Sequence, residues 1–94
     1  MKYYALFYEV ADRFVERRAP FRAEHLALVR EAHGSGALVL AGALGDPPDG
    51  ALLVFKTSSA EVAEDFARKD PYVVQGAVTS WSVRPWNVVV ETGR

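Results

Sequence analysis

The first ten residues put apolar or aromatic side chains on both sides of a strand. From Lys2 to Val10, Tyr3, Ala5 and Phe7 share one parity, and Tyr4, Leu6, Tyr8 and Val10 share the other. Side chains alternate between the two faces of a strand, so a sheet with one wet face alternates apolar with polar residues. This segment does not. Ala51 to Lys56 repeats the pattern, with Leu53 and Phe55 against Leu52 and Val54. In the last strand, Trp81 and Val83 stand on one parity and Trp86, Val88 and Val90 on the other. A sheet built this way needs cover on both faces. Its own helices supply one side, and an apolar patch of that size left open on the other is unusual for a monomer. The expected cover is a second copy of the chain, giving a homodimer with two sheets face to face.

Composition bears on the same point. The chain has 94 residues and 50% of them are hydrophobic, yet a monomer of this size hides only roughly 60–65% of its unfolded surface. One core fits, so residues 1–94 read as a single domain. Eleven Lys and Arg against twelve Asp and Glu leave a formal charge of −1, which argues against a nucleic-acid partner, for which a basic stripe is the usual footprint. The third strand also lacks the basic-glycine-aromatic pattern of RNA-binding sheets. The absence of cysteine removes disulfides, thiolate metal sites and a Cys nucleophile. No apolar run approaches the ~20 residues of a membrane span. Met1-Lys2-Tyr3-Tyr4 enters a strand without a signal-peptide core, so a soluble, cytoplasmic protein with no membrane partner is expected.

The elements follow in order. Residues 2–10 read as a strand and the arginine-rich stretch 11–19 as a loop. Pro20 opens a helix to about His33, with Phe21, His25, Leu28, Val29 and Ala32 on one stripe. Gly34-Ser35-Gly36 stops it. Residues 37–44 form an apolar strand, Asp46 to Gly50 a turn, and residues 51–56 a third strand. Ser58 and Glu61 have capping-box spacing before a helix with Val62, Ala63, Phe66 and Ala67 inward. That helix ends before Pro71. Residues 77–90 make a last strand, in which Pro85 marks a bulge or an edge. The order β-α-β-β-α-β specifies an α+β, ferredoxin-like fold: a four-stranded antiparallel sheet with two helices on one face.

This topology brings distant residues together. If the first strand runs up, the start of the first helix, the turn 42–50 and residues 70–77 all lie at the upper end. His25 and Asp70 therefore share that end. An imidazole beside a carboxylate is an acid/base arrangement, in which the Asp fixes the tautomer and stabilises the imidazolium. A satisfied core histidine and a turn-forming Asp are the plain structural alternative. Arg13, Arg17, Arg18 and Arg22 gather at the same end as candidates to hold an anionic ligand, with a solvated loop as the simpler account of the first three. Gly42, Gly45 and Gly76 either allow close approach of a ligand or turn the chain. No phosphate-cradling glycine loop, paired metal-ligand histidines or nucleophile elbow occurs, so neither cofactor nor metal is expected.

Arg22-Ala23-Glu24-His25-Leu26 resembles the Arg-x-x-His-Leu of the YciI-like (YCII-related) family. Leu40-Ala41-Gly42-Ala43-Leu44-Gly45 with Asp46-Pro47, Asp70-Pro71-Tyr72 followed by Gly76, and Trp81-Ser82-Val83 match its later segments in order. The resemblance implies a dimeric α/β-barrel protein with an active site on His25 and Asp70. It also implies cofactor-free acid/base work on small hydroxylated or chlorinated aromatics, although most of the family has no assigned substrate. The expectation is a small lyase- or isomerase-like enzyme: His25 moves a proton, Asp70 orients it, and Arg22, Tyr72 and Gly42 contact an aromatic or anionic small molecule. The alternative is a non-catalytic binding or regulatory module using the same cleft.

Overall fold

A computed structural model describes residues 1–92. Four strands, β1 (Lys2–Val10), β2 (Leu38–Leu44), β3 (Gly50–Thr57) and β4 (Val78–Trp86), form one antiparallel sheet in the order β2-β3-β1-β4. Helices α1 (Phe14–Arg18), α2 (Arg22–Gly34), α3 (Glu61–Lys69) and α4 (Pro71–Val74) complete the described elements, with a short 3₁₀ turn at Ala19–Phe21 joining α1 to α2. This is the ferredoxin-like arrangement expected from the element order. The aromatic and β-branched run of β1 takes a central place because it can bury both of its sides.

The register assigns each parity to a face. Tyr8 pairs with Ala51 and Trp81, and Leu6 with Leu53 and Val83, so these side chains turn towards the helices. The core on this side gathers Tyr4, Leu6, Tyr8, Leu38, Leu53 and Phe55 from the sheet with Ala63, Phe66, Ala67 and Tyr72 from α3 and α4. On the opposite face, Ala5 lies across from Val54, Phe7 from Leu52 and Leu40 from Val54. Val54 is only 3% exposed while Leu40 is 67% exposed, so this face is deep at its centre and open towards the β2 edge.

Four expectations are corrected. The stretch 11–19 is not all loop: Phe14 to Arg18 are helical, because Phe14 is buried against Tyr72 and anchors one helical turn. The last strand stops at Trp86, so Val88 and Val90 lie beyond the sheet. β4 therefore gives the open face Ser80, Ser82 and Arg84 opposite Glu9, Phe7 and Ala5, with Trp86 as its one large apolar residue there. Ser58 does not cap α3, whose N-cap is Ala60 without a side-chain hydrogen bond. Val62, expected inward, is exposed at the first turn of α3. Pro85 sits on an edge strand, where its missing N–H leaves no gap in the sheet interior. At the β2–β3 turn, Gly45 has φ +86°, and a Cβ there would lie 2.7 Å from Asp49 Oδ1. Only glycine fits.

Candidate active site

Three elements deliver the site to the upper end of the sheet. Tyr8 comes from the end of β1, His25 from the first turns of α2, and Asp70 from the junction of α3 and α4. Asp70 precedes Pro71, which pushes it out of helical geometry into an extended conformation, φ −64° and ψ 121°. From there its carboxylate caps α4, accepting from the Tyr72 backbone N–H at 3.0 Å.

The same carboxylate meets the other two side chains. His25 Nδ1 lies 2.9 Å from Asp70 Oδ1 and 3.0 Å from Oδ2. The Tyr8 hydroxyl donates to Oδ2 at 2.7 Å. Asp70 is fully buried, at 0% exposure, and no buried side-chain polar atom lacks a partner among the described residues. Tyr8 O–H and Tyr72 N–H are donors, so Asp70 acts as an acceptor throughout. The network therefore assigns the proton to His25 Nδ1 and leaves Nε2 as the basic nitrogen.

Burial, the Asp70 charge and the hydrogen bond to Asp70, in that order, push the Tyr8 phenol far above its ordinary value of 10.0. A raised folded-state value means that the contribution of Tyr8 to stability is complete below about pH 10 and is lost above it, because unfolding frees the phenol to ionise. Absorbance at 295 nm should therefore show one tyrosine ionising only as the circular-dichroism signal collapses. Tyr8→Phe should lack that step. Ionisation of every tyrosine before unfolding would contradict the assignment.

Aromatic rings fix the imidazole. The Tyr72 ring stacks on His25 at 3.8 Å between centroids and 7° between planes, and Phe14 meets Tyr72 edge-on at 5.8 Å. Arg22 Nη1 donates to the Tyr72 hydroxyl at 3.5 Å, and the Arg18 guanidinium lies 5.0 Å from the Phe14 ring centre. These side chains border a cleft of about 260 Å³ whose floor is Leu53, Ala51 and the β2 segment Ala41-Gly42-Ala43. Gly42 lines this cleft with open space where a Cβ would stand.

His25, Asp70, Arg22, Tyr72 and Gly42, singled out from the sequence, thus lie together, with Asp70 behind the cleft wall rather than in it. Tyr8 and Phe14 are additions to that set, and Arg18, an anion-holding candidate read more simply as part of a solvated loop, borders the cleft. Phe14, Arg18, Arg22 and His25 stand four, four and three residues apart, a helical spacing that crosses the stretch read as loop. Tyr8 was readable from its parity and its place at the upper end of β1.

A model of the YCII-related domain family matches residues 1–87. Protein YciI of Escherichia coli is 32% identical over 84 residues, covering 80% of this chain and 86% of that protein. An "Uncharacterized protein" of Haemophilus influenzae is 28% identical over 96 residues, covering 93% of this chain and 98% of that one. Among solved structures, 5-chloro-2-hydroxyhydroquinone dehydrochlorinase from Burkholderia phenoliruptrix, in complex with 2,5-dihydroxybenzoquinone, is similar with a TM-score of 0.74. It is 17% identical and covers 90% of this chain and 93% of its own. A protein of Agrobacterium tumefaciens gives a TM-score of 0.58 at 11% identity, covering 93% of this chain and 92% of its own. At these identities the structural likeness speaks for the fold.

Proposed function

This chain belongs to the YCII-related domain family, and we propose that it is a small cofactor-independent enzyme of the lyase or isomerase kind. In this reading His25 is its base and Asp70 the group that holds His25 ready. The observation that carries the reading is the tether on His25: one ring nitrogen is bound to a fully buried carboxylate while the ring borders an open cleft. In the reaction, Nε2 takes a proton from a hydroxyl or an acidic carbon of the substrate. The electron pair left behind moves into the conjugated system. A leaving group then departs with its electrons, or the proton returns at another position. The imidazolium formed meanwhile is stabilised by Asp70, whose low-dielectric surroundings strengthen the attraction.

The structurally similar dehydrochlorinase suggests where to begin the search for a substrate: chlorinated and hydroxylated hydroquinones. Wild-type protein, His25→Gln and Asp70→Asn would be assayed on such a panel by chloride release and quinone absorbance. The reading expects turnover by the wild type and its loss in both variants. Ligand binding without turnover, unaltered when His25 and Asp70 are both replaced, would instead favour a binding module.

The proposal includes a second copy of the chain on the open sheet face, where Phe7, Leu52 and Trp86 border a shallow depression of about 320 Å³. Light scattering should return about twice the 10.4 kDa chain mass, and Phe7→Glu, which places a charge in that face, should give a folded monomer. A wild-type protein that scatters as a single chain would refute this part.

A further inference from the structure

Side-chain donors outnumber side-chain acceptors around the cleft. Its lining contains no Asp, Glu, Asn, Gln, Ser or Thr. Its polar side chains are Tyr8, Arg18, Arg22, His25 and Tyr72. The Tyr8 hydroxyl is committed to Asp70, and Asp70 itself is sealed behind the wall. The Tyr72 oxygen already accepts from Arg22, which leaves its O–H as a donor. Neither Arg18 nor Arg22 is paired with a carboxylate among the described residues, in contrast to Arg13 with Glu16 and Arg68 with Asp65. Two guanidiniums and a phenol thus offer only donors, and the one side-chain acceptor left is His25 Nε2.

Resting on the acid/base reading of the same cleft, we infer that its ligand is an oxyanion rich in acceptors, held by Arg18 and Arg22, with a single dissociable proton directed at His25. Arg18 is then a specificity-determining residue. Arg18 is half-buried and Arg22 exposed; a neutral ligand leaves both without a counter-charge, whereas an anion gains charge-assisted hydrogen bonds from both. One turn of helix, α1, serves to bring Arg18 over Phe14 and onto the cleft beside Arg22.

Two pairs of probes that keep a phenolic proton and differ chiefly in charge test this: gentisate against its methyl ester, and salicylate against its methyl ester. Calorimetric titration of the full chain should show at least one anion bound about tenfold or more tighter than its neutral partner, with the preference shrinking as salt is added. Arg18→Gln, checked for folding by its thermal melt, should remove most of that preference, and Arg18→Lys should restore part of it. A merely structural role for Arg18 would weaken both members of a pair alike. Equal affinity for charged and neutral probes, no saturable binding of either anion, or an unchanged preference in Arg18→Gln would each overturn the inference. Those results leave the acid/base reading standing if His25→Gln still abolishes turnover. Anion binding through both arginines in a protein whose turnover survives His25→Gln would instead overturn the acid/base reading alone.

Discussion

Asp70→Asn is expected to fold as the wild type does and to turn over substrate about 10²–10⁴ times more slowly. The two side chains are nearly the same shape, and the amide oxygen can still accept from the Tyr72 N–H that caps α4. The change falls on His25. Asn brings an NH₂ group to the place where Asp brought an acceptor, and His25 Nδ1 lies within hydrogen-bonding distance of both positions. Nδ1 then accepts, the ring proton moves to Nε2, and the nitrogen facing the cleft becomes a donor that cannot take a proton. The charge that stabilised the imidazolium is also gone. His25→Gln should lose a similar factor for a simpler reason, the removal of the base. The effect belongs in kcat more than in KM, because the lost interaction develops as the proton transfers. Anion affinity carried by Arg18 and Arg22 should survive in Asp70→Asn, and this separates the chemistry from binding. Wild-type kcat in Asp70→Asn would refute the role given to the carboxylate.

How far the site could be read in advance depended on which interaction each residue obeys. His25 and Asp70 were brought together by chain direction alone, since strand and helix alternation fixes which ends meet. Their separation of 45 positions was no obstacle. Tyr8 needed one further step, from its parity on β1 to the carboxylate above it. The helix α1 was hidden because local signals point elsewhere. FVERR is a single turn with no apolar stripe, its preceding Arg13 has a left-handed backbone at φ 60°, and Pro20 follows closely. What makes it a helix is Phe14 inserting against Tyr72, a tertiary contact. The misplaced edge of β4 has the same origin. Val88 to Val90 have strand propensity, but β1 begins at Lys2 and its pairing with β4 runs out where Tyr3 meets Trp86. Propensity proposed a longer strand than the partner could accommodate.

Asp70→Ala should have a much larger effect on stability than Asp70→Asn. Alanine removes the acceptor for Tyr8 O–H, His25 Nδ1–H and Tyr72 N–H together. Each buried donor left unpaired costs about 1–3 kcal/mol, less where water enters the space vacated. Removal of a buried carboxylate also relieves its own desolvation, which offsets part of the loss. The expected balance is a destabilisation of about 3 kcal/mol, or roughly 12–24 °C in Tm for a domain of this size. Asp70→Asn, which keeps most of these partners, should stay within about 1 kcal/mol of the wild type. Thermal melts of the three proteins at one pH and concentration decide the matter. A Tm for Asp70→Ala equal to or above that of the wild type would mean that desolvation outweighs the hydrogen bonds. The carboxylate would then be held in the core at a cost to the fold, which only its action on His25 would account for.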